Sequence, residues 1–476
     1  MKRSKHSLSN YHLTTMDMGK LVPVQLQEVL PGDTFRMQSS AFIRMSPMLA
    51  PVMHPVTVRL HHWFVPMRLL WDGWEDFITG QSSDTIPTLS TVSGKDTISD
   101  YFGIPHVADD PVEVNALPFR AYNMIWNEFY RDQDLEAEID LNITTLSSVS
   151  WRKDYFTAAR PWPQKGPDIT LPIGDQAPLV STSDPAGFKY PDGTEAHMVT
   201  NADGNSYLTP GPGSDGNDTY FSGKGLVADL SHATGVTATE FREFFALQRY
   251  AEARARYGSR YTEYLRYLGV SPSDARLQRP EYLGGGKTTL QISEVLQTAA
   301  DTLNNTPIGT LRGHGISALR AKTVRRFFEE HGYILTLMSV VPKSVYADGV
   351  DRTFWRQDKE DFYQKELQSI GQQSVLQGEV YAKEPANVRE VFGYSDRYAE
   401  YTTARSHVTG DFRTDLDFWH LARKFDSAPA LNESFTKCNP SKRIFADQTG
   451  HSLWCAINNS VVARRLVKKV SVGRLL

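Results

Sequence analysis

Several segments of this chain place apolar residues at every second position, the spacing that lines one face of a β-strand. Residues 56–65, VTVRLHHWFV, put Val56, Val58, Leu60 and Phe64 on one side and close at Pro66, which predicts a strand. Residues 333–341, YILTLMSVV, are apolar on both faces and stop at Pro342. They read as a strand buried on both sides, with a short buried helix as the alternative that periodicity leaves open. The segments from Val22 to Arg44 and from Leu453 to Val472 are strand-like too, so strands lie towards both ends with long connections between them.

Helical spacing is rarer. In LPFRAYNMIWNEFY, Pro118 suits a first helical turn, and Tyr122, Ile125, Trp126 and Phe129 recur at i, i+3, i+4 and i+7, so one stripe can be buried. A second helix is predicted from Thr237, with Glu240 placed as in a capping box and Phe241, Phe244 and Phe245 on one side. Gly258 is placed to end it, and Gly269 to end the following RYTEYLRYL. Between about Lys165 and Gly235 the pattern breaks into Gly, Pro, Asp, Asn, Ser and Thr, a composition that supports turns rather than a core. This block reads as a surface insertion with some strands of its own, or as a protrusion packing against copies of itself. Strands with sparse helices and long loops favour a β-sandwich or jelly roll over an α/β enzyme.

Composition narrows the classes. With 476 residues and 40% hydrophobic content the chain can bury a substantial core, as several domains or as one large β domain with excursions. The formal net charge is −4 and the pI about 6.4, so contact with nucleic acid has to come from local patches. Cys438 and Cys455 are the only cysteines, without a CxxC pair, which removes cysteine zinc sites and disulfide frameworks and leaves two reduced thiols. The basic N-terminus lacks the apolar run of a secretory signal, and no stretch approaches the length of a membrane span. The expectation is a protein without membrane insertion.

Candidate chemistry is thin. LGGGKTT, residues 283–289, matches the end of a phosphate-binding loop, but Glu281 stands where its first glycine belongs, so a flexible glycine turn is expected. His61 and His62 point to opposite faces of one strand and cannot ligate one metal together; one interior and one surface or interface histidine is the reading. Asp358, Glu360 and Asp361 alternate with Arg356, Lys359 and Lys365 as on a solvated helical face. No GxSxG, HExxH or dinucleotide fingerprint occurs, and no catalytic residue, metal or cofactor is assigned.

The ends carry more. After Ser460 the sequence VVARRLVKKVSVGRLL holds Arg464, Arg465, Lys468, Lys469 and Arg474 with no acid. Interleaved valines and leucines let it pair as a strand while turning charge outward to a phosphate backbone. Lys2, Arg3, Lys5 and His6 likewise precede the first acid, Asp17. Five C-terminal cations on single-stranded DNA would give a salt slope of about −3.5 per chain, a weak hold that many copies on one genome would multiply. An ordinary solvated basic tail is the alternative.

Longer strings carry a resemblance. TTMDMGKLVPV, FVPMRLLWDGWEDFITG (64–80), LPFRAYNMIWNEFYRDQDL (117–135), WRKDYFTAARPWPQKG (151–166), QRPEYLGGGKT (278–288) and FWHLARKFDSAPALNESFTKCNPSKRIFA (418–446) occur in this order. They resemble the major capsid proteins of the Microviridae, and within them the gokushoviruses, over nearly the whole chain except the block 165–235. The resemblance implies a mainly β, viral eight-stranded jelly roll with long loop insertions and a few short helices. Residues 1–164 would form the first part of the core with a basic arm, 165–235 a variable insertion protruding at the three-fold axes, and 236–476 the helical excursions and the rest of the core. It implies a small icosahedral (T=1) shell of identical subunits around circular single-stranded DNA, assembled in the bacterial cytoplasm. The implied partners are an internal scaffolding protein, a pilot protein, a small basic DNA-binding protein and a host receptor met by the insertion. Aromatic residues at 11% with abundant Tyr and Arg suit surfaces that become buried only in an assembly. A carbohydrate-binding or carbohydrate-hydrolysing β-sandwich is the alternative from another class.

Overall fold

The computed structural model describes residues 3–91, 94–105, 111–167, 238–296 and 309–468, the single positions 169 and 298, and six short strands within 170–237. Two compact units are present, residues 1–165 with 252–476, and residues 166–251.

The first unit is built on eight long strands: β1 (Asn10–Met16), β2 (Leu21–Val29), β3 (Thr34–Met45), β4 (Val56–Pro66), β5 (Glu281–Thr289), β6 (Leu311–Arg320), β7 (Gly332–Pro342) and β8 (Leu453–Arg465). Sheet one runs β1-β8-β3-β6 and sheet two β2-β7-β4-β5, antiparallel throughout. The partners are therefore β1·β8, β2·β7, β3·β6 and β4·β5, a long hairpin rolled across two sheets, which is the jelly roll. Short strands lengthen sheet one: Ser4–Ser7 on β8, Val324–Phe327 on β3, and Gln291–Leu296 outside β6. Two connections carry most of the remaining chain, from β4 to β5 and from β7 to β8.

Alternation fills the space between the sheets. Phe35, Met37, Ile43, Val58, Leu60, Leu453, Cys455 and Ile457 are all buried there. Polar members are paired: His62 Nδ1 lies 2.9 Å from the Thr336 hydroxyl, which donates to Gln25 at 3.1 Å, and Ser39 donates to Asn459 at 2.7 Å. His62 is thus the interior histidine. His61 turns to the outer face, half-buried against the Tyr130 hydroxyl at 2.7 Å.

Helix α1 (Leu117–Phe129), from the β4–β5 excursion, explains why β7 is buried along its whole length. Its stripe of Tyr122, Ile125 and Trp126 is inaccessible, the Tyr122 hydroxyl donates to the Leu21 carbonyl at 2.7 Å, and Phe129 packs on Trp63 with ring centroids 4.2 Å apart. Sheet two thereby has apolar cover on both sides, and the helical alternative for 333–341 falls away. The β7–β8 excursion adds a smaller core in which the Arg423 guanidinium lies 4.2 Å from the Phe435 ring centroid and donates to the Phe435 carbonyl.

Three local expectations are corrected. LGGGKTT is no turn: it lies in β5, where a Cβ on Gly285 would meet the Leu60 carbonyl oxygen at 2.1 Å, so close strand approach demands glycine. The Asp358–Lys365 segment forms single 3-10 turns, Lys359–Asp361 and Lys365–Leu367, because Asp361 accepts from the backbone N–H groups of Gln357 and Asp358 and closes a turn instead of a helix. The C-terminal strand ends at Arg465, residues 466–468 are not part of it, and the expected stretch 469–472 lies outside the described residues.

In the second unit the six strands pair as Leu179–Ser181 with Leu226–Ala228, Phe188–Lys189 with Tyr220–Phe221, and His197–Thr200 with Ser206–Thr209. The pairs are nested, as in one long hairpin interrupted twice. Helix α2 (Ala238–Tyr257) follows and stops at Gly258, φ +97°. Phe241 and Phe245 on it touch each other and stay about half exposed; Thr237, its expected start, lies outside the described residues.

Candidate nucleic-acid interface

The outward face of sheet one is the surface to which the basic termini lead. Register sets its rows. Lys5, Arg464, Thr34 and Phe327 stand side by side, followed by Ser7, Val462, Arg36 and Arg325. Further along come Tyr11, Asn458, Ser40 and Arg320, then Leu13, Ala456, Phe42 and Ala318, then Thr15, Trp454, Arg44 and Ile316. Arg312 faces Val295 at the far edge.

Lys5, Arg36, Arg44, Arg312, Arg320, Arg325 and Arg464 therefore share one face, and no outward strand position on these rows is Asp or Glu. Two pairs of like charge stand directly opposite, Lys5 with Arg464 and Arg36 with Arg325. Such pairs repel across a sheet unless an anion lies over them. Arg36, Arg325 and Arg464 have no ion-pair partner among the described residues.

Aromatic and apolar side chains interleave with the cations. Tyr11 is 66% exposed, Leu13 74%, Phe42 42% and Trp454 47%, well beyond what a strand shows when its face is packed. Leu13, Phe42, Arg44 and Trp454 rim a hollow of about 570 Å³ that Tyr101 and Asp100 close from one side. The Arg44 guanidinium lies 5.5 Å from the Phe42 ring centroid. Cations for phosphates beside open rings for unpaired bases are what sequence-tolerant single-strand binders use. His12, at the edge of the hollow, loses basicity through burial, so the face owes its charge to Arg and Lys.

The expected terminal residues fall into three groups. Lys5 and Arg464 lie side by side on the face, Lys468 is exposed just beyond the strand, and Arg3 reaches from its corner over the Phe327 ring while donating to the Gly32 carbonyl at 2.9 Å. Lys2, Lys469 and Arg474 lie outside the described residues. Arg465 departs from the expectation. Neighbours on a strand face opposite ways, so with Arg464 outward Arg465 turns inward, 2.6 Å from the fully buried Asp33 carboxylate, and its charge is neutralised within the subunit.

Arg36, Arg44, Arg312, Arg320 and Arg325 went unnoticed in the sequence although a signal exists. TFRMQSSAFIRM and LRGHGISALR both put Arg at even positions opposite apolar or small odd ones, so their cations share a face once the two strands pair. No three His, Cys, Asp or Glu side chains cluster to hold a metal among the described residues, and no described helix is long and apolar enough to cross a membrane.

A sequence model of the family described as capsid protein (F protein) matches residues 1–473. The capsid protein VP1 of Bdellovibrio phage phiMH2K is 36% identical over 483 aligned positions, covering 92% of this chain and 88% of that protein. Capsid protein VP1 of Chlamydia phage 1 is 32% identical, covering 92% and 90%. That of Spiroplasma virus 4 is 30% identical, covering 91% and 87%.

Proposed function

The chain belongs to the capsid protein (F protein) family, and from that premise we propose that it closes into a T=1 icosahedral shell around a circular single-stranded DNA genome with the outward face of sheet one as the inner wall. It is the major capsid protein of a microvirus of the gokushovirus type, a structural protein and not an enzyme, and self-assembly into the capsid follows from that family. The glycan-processing alternative has no support from the family.

The observation that carries the DNA-facing assignment is the row structure of sheet one: seven cations, no carboxylate, two like-charged pairs in register and open aromatic rings. If all seven cations meet phosphate, the salt slope is about −5 per chain, steeper than the C-terminal tail alone would give. Arg3 and Lys468 extend the same surface at its corner, and Lys2, Lys469 and Arg474, outside the described residues, belong to the proposed DNA contact by their charge. Residues 165–235 form the outer protrusion and receptor-facing element, in keeping with a composition rich in turns. Assembly in the host cytoplasm with scaffolding, pilot and small DNA-binding proteins completes the reading.

Ultraviolet irradiation of intact particles followed by peptide mapping tests it. Nucleotide adducts on peptides holding Tyr11, Phe42 or Trp454 are expected. Adducts confined to other surfaces, with these three residues open to reagents that stay outside the particle, would refute the assignment.

A further inference from the structure

On the far side of the sandwich, beyond the end of α1, β4 presents Arg59, His61 and Trp63 on one face to a cavity of about 730 Å³. Eight Lys or Arg side chains line it against four Asp or Glu. Each of the four acids is engaged. Asp132 meets Lys153 and Arg160, Asp134 meets Arg160 and Lys165, Asp274 meets Arg279, and Glu263 accepts from the Arg260 backbone N–H.

Arg59 and Arg152, in contrast, have no carboxylate partner among the described residues. Burial and then the nearby Arg59 charge lower the Arg152 pKa from its ordinary value, and Lys287 of β5 stands opposite Arg59 in register. The subunit thus leaves positive charge at this end of the cavity unanswered, where an anion would relieve it.

The other end is aromatic. Tyr282 lies opposite Trp63 with ring centroids 5.0 Å apart and remains 48% exposed. His61 meets Tyr282 edge-on at 5.7 Å, and the Tyr130 hydroxyl beneath accepts from Trp63 Nε1 at 3.3 Å, so the rings are held in place. A Cβ on Gly285 would come within 3.1 Å of the Tyr282 hydroxyl, so the glycine lets that ring lie across the strand. Along β4 the Arg59 and Trp63 positions are ~13 Å apart, so the cavity has a cationic end and an aromatic end.

We propose that this cavity binds a nucleotide, its phosphate held by Arg59 and Arg152 and its base stacked on Tyr282. The backbone of Gly284, Gly285 and Gly286 is paired with β4, so side chains and not a phosphate loop make the contact. The site is separate from the outward face of sheet one and stands or falls independently of it.

Equilibrium dialysis of the full chain against dAMP, deoxyadenosine and a 5′-phosphorylated (dA)4 tests the proposal. Saturable dAMP binding is expected, with deoxyadenosine at least about ten-fold weaker and Arg59→Gln/Arg152→Gln weakening dAMP by a similar factor. Lys359→Gln, in the exposed turn Lys359–Asp361, leaves dAMP binding unchanged. If only the tetramer binds, with the same dependence on Arg59 and Arg152, the source is a strand end; if dAMP binds as well, a free nucleotide suffices. Tyr282→Leu, an exposed change, carries the same test through the base and should also weaken dAMP. Absence of saturable binding by either ligand, binding undiminished in the double Arg variant, or inorganic phosphate binding as tightly as dAMP overturns it.

Discussion

The two sheets of the sandwich differ in what lies over their outer faces. Over sheet two the chain folds its own excursion, and α1 seals Leu335 and Leu337 with Tyr122, Ile125 and Trp126. Over sheet one the short helix Ile98–Tyr101 reaches the rim of the Trp454 hollow, while Arg36, Arg325 and Arg464 stand towards one end of the face and open Tyr11, Phe42 and Trp454 towards the other. One face is finished within the subunit. The other bears like-charged cations in register and uncovered rings. The lesson is that outward strand positions report what covers them: apolar ones met a helix from the same chain, and basic and aromatic ones suit the polyanion proposed above.

Removing the cover should have the largest effect. Trp126→Ala, at 2% exposure under α1, is expected to cost about 3–5 kcal/mol, whereas Trp454→Ala on the open face should stay within about 0.5 kcal/mol; urea denaturation of the subunit measures both. Equal losses would mean that sheet one is covered as sheet two is.

Adjacent arginines sharpen the contrast. Arg465→Ala strands the buried Asp33 charge and is expected to cost about 3 kcal/mol, while Arg464→Ala, one residue earlier and outward, changes stability little and weakens DNA binding. Thermal melts and oligonucleotide titration of the two variants separate the roles.

A smaller effect follows from the interior. Burial pushes the His62 pKa down to about 4 from 6.5, so the unfolded chain is the better proton acceptor. Stability from this group is complete above about pH 6.5 and is lost as pH falls towards 4, about 2 kcal/mol of it by pH 5. His54 and His61, lowered to about 4 in the same way, add to that slope. Denaturation at pH 7 and pH 5 should show the loss, and His62→Gln should make it shallower.

Much of the fold was legible because alternation and helix spacing are local. The β4 and β7 strands, the α1 stripe and the glycines ending two helices all follow from neighbours in sequence. Pairing is not local, and what sequence reading missed depended on it. Arg36 and Arg325 lie far apart in the chain and meet only because Val324–Phe327 pairs with β3. Arg464 and Arg465 look equivalent as a basic dipeptide until the strand's pleat sends them to opposite sides. LGGGKTT read as a turn because glycine there serves tight strand approach, a demand invisible without the Leu60 carbonyl beside it.

The salt dependence of oligo(dT) binding tests the central claim most directly, measured by fluorescence anisotropy on the wild-type subunit and on Arg36→Gln/Arg325→Gln/Arg464→Gln. If the open face of sheet one holds the strand, the triple variant shows a log–log slope shallower by about 2. Identical slopes for the two proteins would contradict the account.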